Sequence, residues 1–235
     1  MAKTNGLGVR IYANGYDLNT DVNALSGVGT NQALLDTTAL ANAATARTIG
    51  LRDSTLTVNG WFDNATGFSH DAFSAISGDA EVIMTMGTSR GDSACGMVAD
   101  QSSYNIDRSQ GSAIATTVEF STSDGEGLNW GVVLTDGPEQ TDSSATNSAS
   151  VDNSTSSSNG GIALISVESI GSGTATVKVQ DSSDDAVWAD LASFTAVTGR
   201  TSEAVSVSGS IDRYLRVQTT GTFTDISFVV QMTRL

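Results

Sequence analysis

Apolar and polar residues alternate with a period of two along most of this chain, and the pattern switches to helical spacing only once. Leu7, Val9 and Ile11 alternate with Gly8, Arg10 and Tyr12. Ile114, Thr116, Val118 and Phe120 share one face of the stretch Ser112 to Thr122, and Leu128, Trp130, Val132 and Leu134 repeat the pattern. Successive side chains of a strand point to opposite faces, so such a chain builds half-buried antiparallel sheets. The fold class is therefore mainly β. Asn14-Gly15 marks a hairpin, because a type I′ turn needs positive φ at both central positions, and Tyr16 to Val22 is the expected returning strand.

The single change of period falls at Phe68, Ala72, Phe73 and Ile76. It predicts one short helix over Ser69 to Ser77, with Ser69 as N-cap, Asp71 in the first turn and Gly78 as C-cap. Before it, Leu34 to Leu40 reads as a strand. Ala41 to Arg47 reads as a loop too long for a hairpin, and Leu56 to Asp63 as a longer strand entered by a tight glycine-containing turn. From Glu139 to Gly161 large apolar residues almost vanish, which reads as a flexible Ser/Asn/Thr-rich linker. Strand patterning resumes at Ile162. The organisation expected is a β domain over residues 1–138, a linker over 139–161 and a smaller β-sandwich over 162–235.

Composition narrows the function. Asp and Glu number 26 against 11 Lys and Arg, a formal charge of −15, with fifteen acids against six bases in residues 1–138. Such a chain repels phosphate backbones and anionic lipid surfaces. The longest apolar run, Ile162-Ala163-Leu164-Ile165, is too short to cross a bilayer, and no signal peptide opens the chain, so synthesis in the cytoplasm and no membrane insertion are expected.

Catalytic patterns are missing. His70 is the lone histidine, with no nucleophile or zinc-ligand set around it in the sequence, and Cys95 on a predicted strand has no histidine to activate it. Asp181, Asp184, Asp185 and Asp190 match no calcium-loop spacing and read as a solvated turn. The chain is expected to be no enzyme and to need no cofactor. Trp188 and Tyr214 are the candidates for a sugar platform in the C-terminal sandwich, with core packing the simpler reading of both.

Residues 5–137 resemble the major tail tube proteins of long, non-contractile-tailed bacteriophages. The resemblance is carried by Asp36-Thr37-Thr38-Ala39-Leu40 entering a long loop, by the turn Ile49-Gly50-Leu51-Arg52-Asp53, and by Leu56-Thr57-Val58-Asn59-Gly60-Trp61-Phe62-Asp63 followed by the helix. Gly50, Leu51 and Asp53 are the positions of the family's Gly-Leu-x-Asp turn. The C-terminal segment resembles the immunoglobulin-like or jelly-roll-like domains that such proteins carry on the tail exterior.

The resemblance implies a virion protein whose subunits form rings, hexameric in the family, stacked into a tube. Its partners would be itself, other tail proteins and the genomic DNA, which passes through without specific binding; the C-terminal domain would touch the host surface. The loop Ala41, Asn42, Ala43, Ala44, Thr45, Ala46 and Arg47 is the expected intersubunit contact. Two alternatives remain open at this point: a capsid decoration or head–tail joining protein, and a carbohydrate-binding surface module.

Overall fold

A computed structural model describes residue 6, residues 8–75 and residues 78–235. The chain is mainly β, with one short helix. In order, the N-terminal half contains β1 (Arg10–Ala13), β2 (Tyr16–Asp17), β3 (Val22–Ser26), β4 (Gln32–Asp36), β5 (Arg47–Arg52), β6 (Thr55–Trp61), α1 (Ser69–Ala75), β7 (Asp79–Thr85), β8 (Ser93–Asp107), β9 (Ala115–Thr122) and β10 (Asn129–Val133). The C-terminal half adds β11 (Gln140–Asp142), β12 (Val151–Asp152), β13 (Gly161–Ser182), β14 (Ala189–Ser193), β15 (Thr201–Val207) and β16 (Tyr214–Arg234).

The long strand β8 organises the N-terminal half. Its first residues pair with β7 and β10, and its last pair with β9, which leads through β6 to β3. One strand thus joins two branches of a single sheet, with a register shift between Gln101 and Ser103 where the β9 pairing runs on, as β-bulges allow. Ile11, Leu56, Val58, Met84, Cys95, Val118 and Phe120 fill the space between. Phe73 closes it from α1, with its ring 6.3 Å from Phe120 and 5.8 Å from Tyr104.

The helix begins at Ser69 as the sequence predicts, but its first turn is satisfied differently. Asp21, buried in the turn after β2, accepts from the Ser69 N–H at 2.9 Å. The Ser69 hydroxyl donates to the Trp61 carbonyl at 2.9 Å. Asp71 accepts from the Gly67 N–H at 2.9 Å, so a carboxylate does lie at the positive end of the helix. Ile76 and Ser77, where the helix was expected to end, lie outside the described residues.

The C-terminal half is built on two very long antiparallel strands, β13 and β16, paired from Gly161↔Arg234 to Ser182↔Tyr214. Val177, Val179, Phe194, Val197, Leu215, Phe223 and Phe228 pack between them and the shorter strands.

The linker expectation is corrected. Residues 139–161 contain β11 and β12, both paired to β16. Between them Thr146 N–H donates to Thr219 O at 3.1 Å and Ser148 N–H to Val217 O at 2.8 Å. Val151 and Asp142 are buried. The main chain supplies the order that the small polar side chains do not.

Nor are the halves joined only by that segment. β10 pairs with β16 at Val132↔Met232 and Val133↔Gln231, so the hydrogen-bonded network runs on from one half to the other. Tyr12, Ile83, Ala94 and Val133 share a core with Ile162, Leu164 and Val229. The Asn14-Gly15 hairpin turn forms as expected, with φ of 50° and 83°. Its tip presses against the C-terminal half: a Cβ at Gly15 would lie 2.9 Å from the Val167 carbonyl and 3.0 Å from the Thr201 nitrogen. Glycine is required there twice over, for its φ and for the close approach. The returning strand is shorter than predicted, ending at Asp17, because the chain turns away through Leu18 to β3.

Candidate functional site

Strands β4 and β5 form a sheet of their own and pair with no other strand among the described residues. Three expectations for this stretch are corrected. The strands pair with each other, Asp36 opposite Arg47, despite the ten-residue connection 37–46, so they are a hairpin arm. Gly50 and Leu51 lie within β5 rather than in a turn, and Arg47 is its first residue rather than the end of the loop. The arm is exposed rather than half-buried, because no second layer lies against it among the described residues.

The neck of the loop is stitched. The Thr37 N–H donates to the Ala46 carbonyl at 2.9 Å, and the Ala46 N–H to Thr38 Oγ1 at 2.9 Å. Asp36 accepts from the Thr38 N–H at 2.8 Å, and its hydrogen bonds from Thr38 hold its carboxyl below the usual range. The remaining loop residues, Leu40 to Thr45, are exposed. Gly50 has a packing reason: it and Leu51 together oppose the single residue Ala33, a bulge in β5, and a Cβ on Gly50 would meet the Ala33 carbonyl at 3.1 Å.

Alternation still works within the arm as far as its bulge. Residues directly opposite in an antiparallel pair share a face, so Leu34 and Ile49 sit side by side, while the bulge at Gly50-Leu51 breaks the alternation before Leu51. Leu34, Ile49 and Leu51 are 66%, 65% and 88% exposed respectively. Leu35 projects from the other face and Leu40 stands fully exposed near the tip. Scattered exposed leucines are ordinary, but several exposed aliphatic side chains gathered on one small sheet mark an interaction surface. Both edges of the arm also carry unpaired backbone groups, the usual template for strand addition.

The root is fixed where the tip is free. Asp53 N–H donates to Asn31 O at 2.9 Å, closing the hairpin base. Arg52 reaches Asn129 Oδ1 at 3.3 Å, and the buried Ser54 Oγ accepts from Leu128 N–H at 3.3 Å. The arm also departs in charge: Gln32 to Arg52 carry two arginines and one aspartate in a chain of −15.

The other sequence candidates are dispersed. His70 Nδ1 lies 2.9 Å from the Tyr104 hydroxyl, with its ring beside Phe62. Cys95 is buried in the core, and burial pushes its thiol up to about 12. The aspartates after β13 are separately engaged. Asp181 accepts from the Asp212 N–H and Asp184 from the Ala186 and Val187 N–H groups, while Asp190 binds Lys178 at 2.6 Å. Among the described residues no group of three His, Cys, Asp or Glu side chains is placed to hold a metal ion. The Arg216 guanidinium lies 4.2 Å over the Trp188 ring and Arg213 lies 4.9 Å over Tyr214, so one face of each proposed sugar platform is covered. No helix is long and apolar enough to cross a membrane among the described residues.

No family model matches this chain, and no curated protein matches it. Among solved structures it is similar to the SPP1 Dit (gp 19.1) protein, described as a paradigm of the hub adsorption apparatus in phages that infect Gram-positive bacteria. The identity is 13% and the TM-score 0.36, covering 96% of this chain and 99% of that one. At that score the likeness assigns neither fold nor function.

Proposed function

We propose that this chain is a self-assembling structural subunit of a phage tail, closing into rings that stack into a tube, with the β4–β5 arm as its principal contact between copies. The observation that carries this reading is the arm itself: a hairpin with a fixed root, a free tip and the exposed aliphatic side chains of Leu34, Ile49 and Leu51. Such side chains are costly to leave in water. The three amount to roughly two fully exposed aliphatic residues, and burying them is worth about 3–6 kcal/mol per contact.

Charge fits the same arrangement. An arm with excess arginine meets an otherwise acidic body on the neighbouring copy, which favours head-to-tail contact over two arms meeting face to face. A heterologous contact of that kind closes into a ring when its rotation divides the circle. The acid excess of the bodies then lines a conduit that repels DNA phosphates, so the duplex passes without sticking.

Sedimentation velocity across a range of concentrations, with negative-stain microscopy of the heaviest fractions, tests the proposal. Rings or tubes are the expected species. A chain that remains monomeric up to millimolar concentration overturns it.

A further inference from the structure

We propose that the joint between the two halves is controlled by a proton: Glu139 sits protonated against Glu168 while the halves are docked, and losing that proton loosens the joint. Glu139 follows Pro138, whose carbonyl accepts from the Tyr12 hydroxyl of β1, so it stands where the N-terminal half meets the C-terminal strands. Glu168 is the residue left over at the register shift of β13, between Val167↔Phe228 and Ser169↔Ser227. A bulge re-aims the side chain it leaves unpaired. The Gly15 turn presses on the same bulge, and the Arg200 side chain donates from Nε to the Glu168 carbonyl at 3.2 Å.

Among the described residues, the groups around Glu139 leave it no cation. From β2, Asp17 adds a second carboxylate. Arg10 of β1 is committed to Asp17 at 3.4 Å. Arg200 places its guanidinium over the Tyr16 ring, 4.0 Å from the centroid. From β16, Ser227 contributes only a hydroxyl, which also bonds Thr141 at 2.9 Å. Tyr12 faces the site as a neutral phenol, since burial, then Asp17, pushes its ionisation far up. The Glu139 Oε1 atom is buried without a hydrogen-bond partner.

A carboxyl group placed among carboxylates and away from water keeps its proton. Burial first, then Glu168, raises Glu139 from its ordinary 4.5 to about 8. The sign follows directly. The closed joint binds the proton more tightly than an opened one, so the stability of the joint is fully present below about 4.5 and is lost as pH rises through about 8. Above that, two or three carboxylates face one another across a contact that also holds the shared core of Tyr12, Ile83, Ile162 and Leu164.

Carboxyl-carbon NMR on the full chain, with hydrogen exchange of the backbone amides in residues 12–17, 134–142 and 199–203, tests this. Glu139 is expected to titrate above pH 7. Protection in those segments, corrected for intrinsic base catalysis, is expected to fall on the order of tenfold between pH 6 and pH 8, solvent screening holding it below the full shift. Glu139→Gln removes the pH dependence, and Glu168→Gln lowers the Glu139 titration toward its ordinary range, so either variant suffices if the other folds poorly. A Glu139 carboxyl that titrates below pH 5, or protection that falls equally in wild type and Glu139→Gln, overturns the proposal. Assembly is not read in this experiment, so its outcome is independent of the tube proposal.

Discussion

Replacing Ile49 and Leu51 together with threonine removes two of the arm's exposed aliphatic side chains while placing β-branched residues in β5. At 65% and 88% exposure the two side chains offer about one and a half fully buried equivalents to a partner. At about 1.5–3 kcal/mol for each complete burial, the double variant weakens each contact between copies by about 2–4 kcal/mol. That corresponds to roughly 30- to 1,000-fold in dissociation constant. Neither side chain belongs to a core cluster, so the folded subunit is expected to keep its stability within about 0.5 kcal/mol. Sedimentation equilibrium gives the association constant and thermal denaturation of the dilute monomer gives the stability. Unchanged association would refute the assignment of these side chains to an interface. A large loss of monomer stability would refute the description of the arm as unsupported.

Four further outcomes are expected. Replacing residues 37–46 with Asn-Gly keeps the Asp36↔Arg47 register and leaves a folded subunit by circular dichroism, but one that no longer assembles at the concentrations wild type does. Gly15→Ala strains a position with φ of 83° against the β13 carbonyl and lowers stability by about 1–3 kcal/mol, read as a fall of several degrees in Tm. Phe73→Ala empties the centre of the N-terminal core and costs about 3–5 kcal/mol, measured by urea unfolding. Cys95 resists a thiol reagent at pH 8 and reacts only as fast as the domain opens, because its thiol is buried and held up at about 12.

What the sequence made legible follows physical lines. The Asn14-Gly15 turn, the helix start at Ser69 and the strands from β7 to β10 all follow from local chemistry, turn geometry and side-chain period. The segment 139–161 was misread because composition counts side chains. Its order comes from backbone bonds to β16, such as Ser148 N–H to Val217 O at 2.8 Å, which leave no mark on residue type. The arm was misread in the opposite direction. Leu34, Ile49 and Leu51 alternate as a half-buried strand should, and that pattern is silent about whether the covering layer belongs to the same chain. The joint at Glu139 and Glu168 had no local signal at all, since it depends on a bulge and on the meeting of residues from β2, β13 and the segment after Pro138.

The arm therefore stands as a small sheet patterned for burial and left uncovered, and the question of what covers it is the question of function. A cryo-electron-microscopy reconstruction of the purified chain at high concentration answers it most directly. The expected result is closed, stacked rings in which Leu34, Ile49 and Leu51 lie against the acidic body of a neighbouring copy. An assembly whose arms point into solvent, or particles that stay single at every concentration, would contradict it.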